Sequence, residues 1–525
     1  MNKIFNHFGR CFAFAAALLT PFLATSCDDD DNKSSDDPAK VEIYVNPAIQ
    51  EISGEASTIN IVVRTEVEVA VTTDADWLSI GTPEKVDDLL KYPIECQQND
   101  TKAVRTATIT VTHAASNTRE TATVTQHPYS ETQEPDEPEE PTEPADPQDA
   151  TGIIKAMGMG WNLGNNLDAH ANGVSNETCW GNKACTQATM NAVKAAGFKT
   201  VRIPVTWLGH ISGSGDNYKI DDAWLNRVAE VVSYAENAGL YAIVNIHHDG
   251  ADSQHWLDIK TAATSSYTNG KVKEQLAAMW TQIANKFADK GDFLIFETLN
   301  EIHDGGWGWG ANRSDGGKQY ATLNEWNQVA VDAIRATGGN NATRWIGVPG
   351  YVCNPDLTVE SLVIPTDPAG KILVGVHDYD PYKYTLEAQY NAWGHLATSS
   401  DNAPSENESQ ITSTFSKLKS AFIDKGYGVY IGEIGCVHRD NDRAEAFRKY
   451  YLEYVCKAAQ TYGIAPIYWD NGSTGAGREC SGLLDHGTGN FINNGKDIID
   501  IMVNAIENTD ANYTLESIYN NTVIN

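Results

Sequence analysis

Positive charge is scarce in this chain. Its 525 residues carry 38 Lys and Arg against 70 Asp and Glu, a formal net charge of -32. So negative a chain repels phosphate backbones and anionic lipid, which leaves nucleic acid close to excluded as a partner. Metal patterns are missing as well. The nine cysteines contain no Cys-x-x-Cys pair, and neither His-Glu-x-x-His nor His-x-His occurs. A dinucleotide fingerprint is also lacking: Gly158-Met-Gly160-Trp-Asn-Leu-Gly164 has the wrong spacing, and no helix start follows it. The apolar run from Cys11 to Leu23 is too short to cross a bilayer comfortably. What remains is 41% apolar and 21% charged, enough to bury a core, and long enough for two to four domains.

The N-terminus is not fold. Lys3 and Arg10 give a positive start, the apolar run follows, and Leu23-Ala-Thr-Ser-Cys27 closes it. This resembles a bacterial lipoprotein signal over 1–26, with Cys27 as the lipidated residue, although Ser26 stands where Gly or Ala is more usual. Residues 28–37 hold six Asp and one Lys. They resemble the acidic flag of Bacteroides-type surface lipoproteins. The resemblance implies an acidic tether over 27–39 and an outer-membrane lipid anchor facing the cell surface. The alternative is a plain secretory signal in which Cys27 is incidental. Cys179 and Cys185 either close a short loop or stay free thiols.

Residues 40–128 contain short alternating strands at 41–45, 57–63, 67–72, 106–112 and 121–125, which predict a small all-β sandwich. Trp77-Leu-Ser-Ile, Asn99, Arg105-Thr-Ala-Thr-Ile-Thr-Val and Val124-Thr-Gln126 resemble the BACON domain. Its only aromatics are Tyr44, Trp77 and Tyr92. Trp77 sits in an apolar strand, so the domain reads as a spacer and not a glycan binder. Residues 129–150 bring five prolines and a run of acids, an extended linker.

From 151 to 525 an amphipathic helix, a glycine and an apolar strand recur. Asp221 or Asp222 caps one helix, whose Trp224 joins Trp280 and Trp326 on buried helix faces. Eight strands are countable, near 158–163, 200–205, 241–246, 293–296, 345–348, 372–376, 429–431 and 464–468. Polar side chains end most of them: His247-His248-Asp249, Asn300-Glu301, His377-Asp-Tyr379, Glu433, Trp469-Asp-Asn471. Reactive residues at the C-terminal ends of parallel strands are what a TIM (β/α)8 barrel gathers at one mouth. Glu301 and Glu433 end the fourth and seventh strands, and so face each other across that mouth. Two facing carboxylates are the minimum equipment for glycoside hydrolysis. His247 and His248 raise the question of metal, but adjacent strand residues point to opposite faces, so no metal is expected.

Seven motifs occur in order: Gly160-Trp-Asn-Leu-Gly-Asn165, Val201-Arg-Ile-Pro-Val-Thr-Trp207, Asn245-Ile-His-His-Asp249, Leu299-Asn-Glu301, His377-Asp-Tyr379, Ile431-Gly-Glu-Ile-Gly435 and Tyr468-Trp-Asp-Asn-Gly472. Together they resemble glycoside hydrolase family 5, most of all its endoglucanase and xyloglucanase branch. The resemblance implies Glu301 as acid/base, Glu433 as nucleophile and Asn300 on the sugar 2-hydroxyl. It also implies Arg202 beneath Glu433 keeping it ionised, Tyr379 bonded to Glu433 and His377 beside Glu301. His247 and His248 would line the sugar site, with Trp469 as its floor. Trp307 and Trp309, between glycines after the acid, are subsite candidates, and Asn165 and Asp168 would reach an outer subsite. The implied protein is a monomeric, cofactor-free retaining endo-β-1,4-glucanase acting on plant β-glucan: xyloglucan, mixed-linkage glucan or cellulose. A mannanase or xylanase on the same barrel, or a surface glycan-binding protein on a dead barrel, are the alternatives.

Overall fold

The computed structural model describes residues 41–128 and 149–524, apart from isolated positions in the N-terminal part and residues 252–254. The signal, Cys27, the acidic tether and most of the linker lie outside the described residues. The chain divides near residue 136 into two units, each with its own core.

In the first unit two sheets enclose the core. One runs Tyr44–Asn46, Ser57–Arg64, Leu89–Cys96, Leu78–Ile80, with Glu84–Val86 also paired to Leu89–Cys96. The other runs Ile49–Ile52, Thr118–Gln126, Arg105–His113, Ala70–Thr73. Alternation turns Ile59, Ile61, Val63, Ile109, Val111 and Val124 inward. Trp77 is buried, with the Arg105 guanidinium 4.4 Å over its ring, so it offers no sugar platform. Buried Asn99 donates from Nδ2 to the carbonyls of Ala103 and His127, each at 2.9 Å. The strand Leu89–Cys96 is absent from the sequence reading because Pro93 interrupts it. Pro93 lies opposite Asn60, and its carbonyl still accepts from the Gly81 N–H at 2.8 Å.

The second unit opens with the helix Ala150–Met157, whose N-cap Asp149 accepts from the Gly152 N–H at 2.8 Å. The fold thus begins within the stretch read as linker. Eight parallel strands then close a barrel in chain order: Gly160–Leu163, Thr200–Ile203, Tyr241–Asn245, Leu294–Glu297, Ile346–Pro349, Ile372–His377, Gly428–Ile434 and Ile464–Asp470. The eighth pairs with the first. Every strand is buried almost throughout, as a sheet covered by helices requires. Asp221 caps the helix Asp222–Asn237, and Trp224, Trp280 and Trp326 are all buried.

Two details of the barrel position the site. The fourth strand ends at Glu297, four residues before Glu301, so Glu301 stands in the loop beyond the strand and not at its end. Inside the barrel, Tyr430 crosses toward the fourth and fifth strands in space left by glycine. A Cβ on Gly347 would stand 2.2 Å from the Tyr430 hydroxyl, and one on Gly375 2.7 Å from it. The seven cysteines among the described residues are all free, so Cys179 and Cys185 do not close a loop.

Candidate active site

The mouth is organised by one buried cation. Arg202, from the second strand, is fully enclosed. It donates to both oxygens of Glu297 through Nε and to Oε1 again through Nη2 at 2.7 Å. Its Nη1 reaches Glu433 Oε1 at 2.9 Å and Asn162 Oδ1 at 3.0 Å, and Nη2 also reaches Asn300 Oδ1 at 2.7 Å. A planar fork with five donors suits such shared duty. Burial works against this charge, but Glu297 and Glu433 outweigh it and hold the guanidinium charged well above its ordinary range.

Glu297 is the better served of the two carboxylates. Tyr430 donates to its Oε2 at 2.7 Å and Asn245 to its Oε1 at 2.8 Å. Burial pushes its pKa up, yet Arg202 prevails and the group stays below its ordinary value. Glu433 receives one bond from Arg202 and one from the Tyr379 hydroxyl at 2.8 Å. Its net direction is upward, because burial outweighs His377, Arg202 and Tyr379. Arg202 therefore acts on Glu433 in the direction the sequence implies, but does not win. Burial is the larger effect, and the neighbouring Glu301 adds to it.

Glu301 is the more open of the facing pair, its side chain 21% exposed against 8% for Glu433. His377 Nδ1 stands between them, 2.7 Å from Glu301 Oε1 and 3.6 Å from Glu433 Oε1. One carboxylate oxygen from each glutamate and a His377 nitrogen all lie within 4.8 Å of one another. Burial pushes His377 down to about 4, so at neutral pH the ring is uncharged. It can then accept a hydrogen bond from a protonated Glu301.

The two histidines after the third strand do not separate as strand alternation predicts. They follow its last residue, Asn245, where the pleat no longer applies, and their rings meet edge-on at 4.4 Å. With Asp168 they bring donor atoms within 4.8 Å of one another. Two of the three residues have other partners. Asn245 Nδ2 lies 3.1 Å from His247 Nδ1, and the backbone N–H groups of Asn165 and Asn166 bond Asp168 at 3.1 and 2.8 Å. Asp168 is completely buried, which corrects its expected place at an outer subsite. Asn165 is half-buried, with φ 58. Asn300 Nδ2 points at His247 Nε2 from 3.5 Å.

Trp469, half-buried at the end of the eighth strand, lies parallel to His247 at 5.8 Å. Trp307 and Trp309 are 54% and 78% exposed, so neither is core. Trp307 stacks on His303 at 4.3 Å, and Arg313 lies 5.6 Å over Trp309. Trp180, 42% exposed, went unnoticed in the sequence. Its ring stands 5.5 Å from His248 and 5.3 Å from His170, and its Nε1 donates to the His170 carbonyl. Irregular loops carry no periodicity that would single it out. Glu297, Asn162, Asn245 and Tyr430 were also missed as partners of the site, although Asn162 and Asn245 lie inside quoted motifs.

Residues 167–475 match the family model for cellulase, glycosyl hydrolase family 5, and residues 66–127 match the BACON model. The chain is 38% identical over 344 residues to Endoglucanase A of Paenibacillus barcinonensis, covering 62% of this chain and 83% of that one. It is 32% identical to the xyloglucan-specific endo-beta-1,4-glucanase of Bacteroides ovatus, over 89% of this chain and 92% of the other. A solved broad-specificity endoglucanase from Bacteroides salanitronis is 56% identical, with a TM-score of 0.68 over 73% of this chain and 99% of that one. The family model spans more than half of the sequence and these relatives are matched over most of their own length: the chain belongs to glycoside hydrolase family 5.

Proposed function

We propose that this chain is a retaining endo-β-1,4-glucanase that cuts inside plant β-glucans, with xyloglucan, mixed-linkage glucan and cellulose chains as substrates. One observation carries the stereochemistry. Oxygens of Glu301 and Glu433 approach within 4.8 Å, with His377 between. Direct attack goes with carboxyl groups about 5–5.5 Å apart, whereas an intervening water needs roughly 6.5–9.5 Å. The printed names of the relatives support the β-glucan reading.

In the first step Glu433 attacks the anomeric carbon, and the glycosidic oxygen leaves with the proton of Glu301. The product is a glycosyl ester on Glu433 and a shortened chain. Arg202 and Tyr379 hold the attacking carboxylate by its two oxygens. In the second step Glu301 takes a proton from water, whose oxygen displaces Glu433 and restores both groups. His377 Nδ1 can meet either state of Glu301: it accepts when Glu301 is protonated and donates, in its other tautomer, when Glu301 is ionised. Asn300, whose Oδ1 is held by Arg202, is assigned to the 2-hydroxyl of the bound sugar. No cofactor enters either step.

The lipoprotein-like start at Cys27 and its acidic tether support an outer-membrane enzyme facing the cell surface; a monomer is part of the same proposal. The test of the activity is product analysis on barley β-glucan, xyloglucan, carboxymethylcellulose, xylan and mannan, with anomers followed by proton NMR. Internal cleavage of the β-glucans with a β-configured first product is expected. Release confined to mannan or xylan would overturn the substrate, and an α-configured first product would overturn the mechanism.

A further inference from the structure

Between the fifth strand and the short helix Pro355–Ser361 the chain makes a turn, Gly350–Asn354, that does not follow from ordinary backbone preferences. Val352 has φ 50 and ψ 24, and Cys353 has φ 53. Two successive left-handed residues without glycine are unusual, and for a β-branched valine such a φ is an outlier. Nor is the turn at the surface: Tyr351, Val352 and Cys353 are all buried.

What the turn touches is the loop that carries Glu301. Three consecutive residues each hold one point of it. Cys353 Sγ lies 3.6 Å from the Asn300 carbonyl. The Val352 N–H donates to the Ile302 carbonyl at 3.1 Å. The Tyr351 hydroxyl accepts from the Asp304 N–H at 3.1 Å and donates to Gln319 at 2.6 Å. Glu301 lies between the first two of these points, Asn300 and Ile302. Burial, reinforced by Glu301 and Glu297, keeps the Cys353 thiol protonated, so it is a donor and not a nucleophile. The left-handed pair is what lets the side chain of Cys353 and the N–H of Val352 face the same neighbouring loop.

We propose that Tyr351-Val352-Cys353 is a splint for the acid: three positioning residues that fix the Asn300–Asp304 segment and so hold the Glu301 carboxyl opposite Glu433. The strain at Val352 is retained because relaxing it would release the acid loop. This inference rests on Glu301 being the acid/base. It goes beyond that reading by assigning a function to residues that touch no substrate.

A displaced acid has a distinctive kinetic signature. Its loss slows departure of a poor leaving group, which must be protonated, and spares a good one, which need not be. Misplacing a catalytic group by about 1 Å can cost roughly 100-fold, so a partial release is expected to cost about tenfold. Cys353→Ala should therefore lose about tenfold in kcat/KM on cellotetraose and under twofold on dinitrophenyl cellobioside. Cys353→Ser, which keeps a donor, should recover part of the loss. Should Cys353→Ala fail to fold by circular dichroism, Tyr351→Phe removes a single hydroxyl and carries the same test. Glu301→Ala is the control: it must show the same leaving-group dependence in stronger form. Equal losses on both substrates in Glu301→Ala would overturn the acid assignment itself. The expected dependence in Glu301→Ala, with equal losses or none in all the splint variants, would overturn the splint and leave the acid in place.

Discussion

Nδ1 of His377 lies 2.7 Å from Oε1 of Glu301, and the ring that makes this contact titrates far from its ordinary value. Burial pushes His377 down to about 4, against about 6.5 in an unfolded chain. A depressed folded value means the neutral ring stabilises the fold fully above pH about 6.5 and less as pH falls toward 4, by an amount on the order of 1–3 kcal/mol. His377→Gln should flatten the fall of Tm across that window. Parallel Tm profiles for variant and parent would show that the ring's titration is not coupled to folding.

Glu433→Ala should abolish turnover, by about a thousandfold or more, without unfolding the barrel. Arg202 keeps Glu297, Asn162 and Asn300 when Glu433 is gone, so no buried cation is stranded. Azide should restore part of the activity and give a product of inverted configuration, since a small anion fits the vacated place. More than a few percent residual activity without azide would sink the nucleophile assignment.

Arg202→Met removes the only charge that faces Glu297 at bonding distance among the described residues. Breaking a buried pair from one side costs about 3–5 kcal/mol, because the remaining charge is uncompensated. Arg202→Met combined with Glu297→Gln should lose clearly less than Arg202→Met alone in urea unfolding. If the double variant lost as much, Glu297 would not be the group that needs the arginine.

Trp307 and Trp309 stand exposed in a glycine-interleaved loop after the acid. Such a loop leaves room for a branched chain, so xyloglucan should be cleaved at least as well as carboxymethylcellulose. Trp307→Ala and Trp309→Ala should weaken action on long chains by several-fold and leave short aryl glycosides nearly unchanged, because remote binding counts only when a sugar reaches it. Equal losses on both would remove the subsite role.

Deleting residues 27–150 removes a β domain whose one tryptophan is buried. Turnover and KM on soluble β-glucan should stay within about twofold, since Trp77 lies buried beneath Arg105 and offers no stacking face. A large rise in KM for soluble oligosaccharides would assign the domain a binding role. Because the barrel's first helix begins at Ala150 with Asp149 as its cap, a deletion ending at 148 is the safer boundary.

The barrel was legible because each strand is a continuous apolar run followed by polar residues, a pattern that survives without knowledge of neighbours. The limits of each strand were not. Glu297 and Glu301 lie in one unbroken stretch, and nothing in the local sequence says that the strand stops at the first. Only the position of Arg202, 95 residues earlier, separates the buried partner from the facing acid. His247 and His248 were misjudged for the same reason: period-two alternation holds only while the pleat lasts. Pro93 hid a paired strand, since a missing N–H is a strong local signal and the pairing that tolerates it is not local. Trp180 belongs to a loop, where no period exists to read.

The division of Arg202 between two carboxylates fixes more than geometry. One positive charge faces two negative ones in an enclosed space, and His377 is neutral at working pH, so the resting site holds an uncompensated negative charge. A sugar acquiring positive character at its anomeric centre is the natural counter-ion for that imbalance. Forming the ester on Glu433 does not cancel it but moves it across the mouth to Glu301, which has given up its proton. The resting enzyme should accordingly prefer a protonated iminosugar to the neutral sugar of the same shape, and Glu433→Gln, which removes one of the two negative charges, should weaken that preference.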